Sequence, residues 1–166
     1  GSVTPASMLN IENFTATVTT NASTIDLANA TGLTAVSLTG ATAAATLSNI
    51  ATSVAVTLRD SAVAHTVTYS GVTGAADAAT VDVMNMSQGT GVATTIAGIE
   101  TLTINATSSD SALGTLTAAA TTTLNVTGDK ELTVVDNLGS TILTVDGSTS
   151  TGGMDLDFGG TNITVT

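Results

Sequence analysis

Residues 98–128 read GIETLTINATSSDSALGTLTAAATTTLNVTG, and residues 10–40 read NIENFTATVTTNASTIDLANATGLTAVSLTG. The two stretches align without a gap at an offset of 88, with nine of 31 positions identical. Ile11, Glu12, Thr15, Thr39 and Gly40 meet Ile99, Glu100, Thr103, Thr127 and Gly128. A Thr-rich chain generates chance identities, so the weight rests on the Ile-Glu opening and the Thr-Gly close. The match continues through Ser53 and Thr57 against Ser140 and Thr144, then Tyr69 and Gly71 against Phe158 and Gly160.

A shorter period lies inside the second unit. Leu102–Ile104, Leu124–Val126, Leu143–Val145 and Ile163–Val165 recur every 19 to 22 residues, and runs at Leu116, Leu132–Val135 and Leu156–Phe158 fall between them. Apolar and polar residues alternate within each run, as in Val54–Leu58, His65–Tyr69 and Thr101–Ile104. That is the period of a strand with one buried face. Gly, Asn, Asp and Ser punctuate the runs, as turns require. Lys, Glu, Arg and Gln, which usually clothe helices, are scarce. Only residues 72–82 (VTGAADAATVD) admit a helical turn. A coil of about 20 residues with two strands cannot bury its apolar edge alone, but stacked coils can. The expected fold is all-β, a solenoid of parallel strands. An antiparallel β-sandwich is the alternative, because strands every 8–12 residues suit it too. The expected organisation is a lead-in over 1–9, opening on a Gly1-Ser2 tag scar, then strand-repeat units over 10–97 and 98–166 forming one elongated domain. The run Asn162–Thr166 carries no capping element, as expected of an excised piece.

Composition narrows the function classes. The chain has 166 residues, 42% hydrophobic, with only Phe14, Tyr69 and Phe158 as aromatics. Its core must therefore be filled by small aliphatic side chains. Thirteen acids against Arg59 and Lys130 give a formal charge of -11. Nucleic acid and anionic membrane surfaces are poor partners for such a surface, whereas cations suit it. With no cysteine, disulfides and thiolate chemistry are excluded. The 166 residues show no signal-peptide pattern, leaving any export signal to lie outside them, and no apolar run long enough for a transmembrane helix.

His65 alternates with Val67 and Tyr69, which makes it an outward or packed strand residue, and no serine lies in a G-x-S-x-G context. No catalytic residue is assigned. Asp155 and Asp157 flank Leu156 and share a strand face, but the aromatic and basic residues usual at a sugar-acting site are scarce in this chain. The chemical expectation is oxygen-ligated Ca²⁺ held by Asp110, Asp129, Asp136, Asp146, Asp155 and Asp157. A turn of 19–20 residues stacks Asp110 near Asp129 and Asp136 near Asp155, and carboxylates so stacked repel unless a cation lies between them. The stretch Gly152–Gly160 (GGMDLDFGG) shares the glycine and aspartate content of the nonapeptide calcium repeat, though not its spacing.

The phrases NIENFTATV, GIETLTINA, TTTLNVTGDKELTVVD and STILTVDGSTSTGGMDLDF resemble the strand repeats of Gram-negative surface-layer and RTX-type secreted proteins. The resemblance implies a right-handed parallel β-helix or β-roll solenoid, export by type I secretion and an extracellular, cell-surface location, often with calcium. It implies a structural module, not an enzyme, whose partners are neighbouring copies of the same protein and cell-surface polysaccharide, without membrane insertion. An adhesin module for a glycan or host ligand is the alternative, and a β-helical polysaccharide-acting enzyme a third reading.

Overall fold

The computed structural model describes residues 1–4, 7–159 and 162–166. Among these residues there are strands and no helix. Strands are numbered in chain order. The longest sheet contains, in spatial sequence, β2 (Asn13–Ala16), β4 (Ala35–Thr39), β6 (Ala55–Arg59), β8 (Ala78–Met84), β10 (Thr101–Ala106), β13 (Thr123–Gly128), β15 (Thr144–Asp146) and β17 (Thr164–Val165). A second sheet holds β1 (Ser2–Val3), β3 (Ser23–Asp26), β5 (Ala45–Ala51), β7 (His65–Ser70), β9 (Ala93–Ala97) and β12 (Thr115–Thr117). A narrow third sheet holds β11 (Ser111–Leu113), β14 (Leu132–Val134) and β16 (Met154–Leu156). Every strand pairs in parallel with the strand one coil further along its own sheet. The chain is a β-solenoid of about seven turns with about 22 residues per turn. The sandwich alternative falls, because its sheets would be antiparallel.

The alternating runs become ladders of like side chains. Phe14, Val36, Val56, Val81, Ile104 and Val126 occupy successive rungs inside the longest sheet. Ile25, Leu47, Val67 and Ile96 face them from the second sheet. Val56, Val81, Ile104, Val126, Leu47 and Val67 are completely buried. Each such aliphatic side chain contributes about 1.5–3 kcal/mol by leaving water. One coil offers only a thin row of them, so burial depends on the coils above and below.

The coils are not equal. The step along the longest sheet is 20 residues from Ala35 to Ala55 and 25 from Val56 to Val81. Loops at the corners absorb the difference. At one corner Gly40, Asp60 and Asn85 stack with φ of 60°, 53° and 52°. Their strands end one above the other: Gly40 N–H donates to Arg59 O and Asp60 N–H to Met84 O, both closing the ladder. Glycine reaches this left-handed conformation freely, and Asn and Asp tolerate it better than other side chains.

Two expectations are corrected. Residues 72–82 contain no helical turn. Ala78 onward is β8, whose inward Ala79, Val81 and Val83 are buried. Strand pairing on both sides outweighs the helical propensity of the alanines. The intermediate runs also do not form one series. Leu116 belongs to the second sheet, whereas Leu132–Val134 and Met154–Leu156 make the third.

Candidate functional site

The six candidate calcium ligands all lie in the second half of the solenoid, but the register separates them. Ser111 pairs with Leu132, so Asp110 stands beside Glu131 and not beside Asp129. Asp110 Oδ1 accepts the Glu131 N–H at 3.0 Å. Asp129 is exposed, with Lys130 Nζ 3.8 Å from its Oδ2. Thr133 pairs with Asp155, which leaves Asp136 three residues further along its coil than the residue opposite Asp155. The expected stacking assumed a turn of 19–20 residues, and the true turn at these positions is one to three residues longer.

Most of these carboxylates instead tie backbone. Asp136 Oδ2 accepts from Gly91 N–H at 2.8 Å and from Thr115 Oγ1 at 2.5 Å, pinning the 89–91 loop to a coil two turns on. These two donors hold the Asp136 carboxyl below the ordinary carboxylate range, the Thr115 hydroxyl contributing most. Asp146, at the end of β15, accepts the Ser148 N–H at 2.9 Å, and the Ser148 side chain is the chief cause that lowers its pKa. Asp157 accepts the Gly159 N–H at 3.0 Å. Asn137, with its amide turned to donate, reaches both Asp157 oxygens at 3.0 and 2.8 Å. Asp155 and Asp157 are exposed, as their alternation predicts, and border a shallow hollow with Val135 and Phe158. Among the described residues no three His, Asp or Glu side chains gather where one metal ion could touch them all. Within GGMDLDFGG, Gly152 rests against the Lys130 backbone, Met154–Leu156 form β16, and Gly160 lies outside the described residues.

The answer to stacked charge is a pairing that the spacing argument did not anticipate. Asn49 Nδ2 donates to Asp26 at 2.7 Å, Asn85 to Asp60 at 2.9 Å and Asn105 to Asp82 at 2.7 Å, each from the following coil. The asparagine amide supplies the donor, so the carboxylate needs no cation beside it. The signal was present as Asp and Asn separated by 23 to 25 residues.

A second polar group lies inside. The only histidine, His65, is 1% exposed on the inner face of β7, with Ala45 and Thr94 on the rungs beside it. Its Nε2 is 2.9 Å from Ser61 Oγ, which donates to Ala41 O at 3.0 Å. His65 Nδ1 is buried without a hydrogen-bond partner. The only glutamine, Gln88, is also buried and bridges coils: Nε2 donates to Val63 O at 2.7 Å, while Oε1 accepts from Thr94 Oγ1 at 2.9 Å and from Gly114 N–H at 3.2 Å. Burial pushes the His65 imidazole down to about 4. His65 is thus the packed residue of the two placements its strand allowed, sealed from any substrate.

The outer surface of the second sheet carries a row of hydroxyls. Ser2, Thr24, Thr46, Thr66, Thr95 and Thr117 occupy successive rungs. Compared with family models, with curated proteins and with solved structures, the chain matches none.

Proposed function

We propose that this chain is a structural segment of a secreted bacterial cell-surface protein of the surface-layer kind, a stiff spacer whose lateral faces meet neighbouring copies. The observation that carries the reading is the continuity of the ladders. The longest sheet runs through eight strands without a break, and its inward rows are shared by every coil. A rod of this type resists bending because each rung is hydrogen-bonded to the next along the axis. The hydroxyl row of the second sheet supports the lateral part. Between Asp26 on β3 and Asp136 beside Thr115 it presents uncharged Thr side chains on a chain of net charge -11, so two copies meet there with little opposing like charge.

The resemblance of the repeats to RTX-type proteins extends the proposal to type I secretion and to calcium bound at some of the carboxylates between Asp110 and Asp157. The experiment is a concentration series with and without calcium, followed by small-angle scattering and negative-stain imaging. Ordered lateral arrays that disappear in a T46K/T66K variant are expected. A protein that stays monomeric at every concentration, in both conditions, refutes the assembly reading.

A further inference from the structure

We propose that Ser61, His65 and Gln88 form an acid-labile seam in the middle of the solenoid, where the coils part when His65 takes up a proton at Nδ1. The geometry fixes the tautomer. Ser61 Oγ gives its own proton to Ala41 O, so the 2.9 Å contact with His65 is a bond from Nε2–H to Oγ. Nδ1 then carries the lone pair, buried and unpartnered. A neutral imidazole leaves one acceptor unmet there. An imidazolium would leave a buried N–H donor without an acceptor and a full charge in an aliphatic core, which is far costlier.

Nothing nearby compensates that charge. β5, which carries Ala45 beside the imidazole, has no ionisable residue, nor does β9, which carries Thr94. On the longest sheet, β6 contributes only Arg59, which lies at the surface against Asp60 at 2.9 Å, and β8 contributes only Asp82, engaged by Asn105. On β7 itself the one other titratable group is Tyr69, whose hydroxyl is buried and pushed well above its ordinary range. Desolvation alone therefore sets the His65 shift.

The sign follows directly. The folded value lies near 4 and the unfolded value near 6.5, so protons favour the open chain. Stability from this site is complete above about pH 6.5 and erodes as the pH falls towards 4. The opening equilibrium rises by up to about 300-fold across that window. In a solenoid such opening can stay local, because each coil contacts only its neighbours. Gln88 spans the same place, joining the Val63 coil to the Gly114 coil, so loss of His65 packing also exposes the hydrogen bonds that cross it.

A single histidine gives one set of imidazole C–H resonances, so a proton NMR titration of the intact chain reads the site without assignment ambiguity. A midpoint near 4, with hydrogen-exchange protection at residues 61–67 and 86–95 falling faster than elsewhere between pH 6 and 4, is expected. In H65T and H65A, which place the residues of the adjacent rungs at this position, that local loss should disappear while carboxylate-driven acid unfolding remains. A midpoint near 6.5, or acid loss of protection at these residues that persists undiminished in H65T, overturns the proposal. The wild-type titration decides the matter even if a variant fails to fold.

Discussion

Gly128 shows how tightly a solenoid corner can constrain one residue. It ends the rung series Ala16, Leu38, Leu58, Val83 and Ala106, and a Cβ there would run into the Ala106 carbonyl. Its φ of 109° is also unfavourable for any L side chain. Gly128→Ala should cost about 3 kcal/mol in urea unfolding, from overpacking against backbone that cannot yield. Gly40 closes the equivalent end of β4 but has open space around its Cβ position and stacks on Asp60 and Asn85. Gly40→Asn should stay within about 1 kcal/mol of the parent, since Asn accepts the left-handed conformation. Equal losses at the two glycines would show that the corner, not the Ala106 contact, sets the requirement. Asp136 makes a different kind of demand. Its pKa is lowered by Thr115 and Gly91, so its contribution is present above about pH 4 and is lost as the pH falls through its folded value. Asp136→Asn should lower stability at neutral pH and flatten the acid limb of a melting-temperature profile between pH 5 and 2. A profile parallel to the parent's would remove the carboxylate from that role.

At the scale of strands, the sequence was legible where burial is one-sided. The alternating runs named from the sequence, Val54–Leu58, His65–Tyr69 and Thr101–Ile104, fall at β6, β7 and β10 with the larger apolar residues inward. The 88-residue match was legible because it marks equivalent strand starts. Glu12 O accepts from Thr34 and Ala35 N–H, and Glu100 O accepts from Thr122 and Thr123 N–H in the same way. Yet the register carries Asn13 through Ala35, Ala55 and Thr80 to Thr103, two residues beyond the aligned Thr101. A slip of two keeps every side chain on its face, so the alternation looks unchanged while the stacking partners shift. Slips of two and of three residues defeated the Asp110–Asp129 and Asp136–Asp155 pairs. Alternation has a period of two and cannot count loop residues, and the coil step varies with the corners. Core strands should reflect their burial directly. Leu102→Ala in β10, completely buried between Ala79 and Leu124, should cost about 2–5 kcal/mol. Leu143→Ala, 57% exposed, should change stability by less than about 0.5 kcal/mol in the same denaturant assay. A small loss at Leu102 would mean that the rungs can collapse around a cavity, contrary to a stiff ladder.

Across the whole molecule, the unsolved quantity is charge. Thirteen acids and two basic residues share one solenoid, and both basic side chains are already beside an aspartate, Arg59 with Asp60 and Lys130 with Asp129. The Asp–Asn pairs satisfy local hydrogen bonding but leave the net charge in place. Folding concentrates that charge, so repulsion opposes the compact state and must weaken as salt shortens the Debye length from about 30 Å at 0.01 M to about 8 Å at 0.15 M. Raising NaCl across this range should therefore increase the melting temperature. The same series separates screening from binding. If the carboxylates between Asp110 and Asp157 hold calcium, millimolar Ca²⁺ must stabilise the fold beyond Mg²⁺ at equal ionic strength, because a flexible all-oxygen site favours the larger ion. If Ca²⁺ and Mg²⁺ give the same increment and chelation leaves the melting temperature unchanged, the acids act as a screened surface charge and the calcium proposal fails. The solenoid and its His65 seam would stand unaffected, because neither draws on a bound cation.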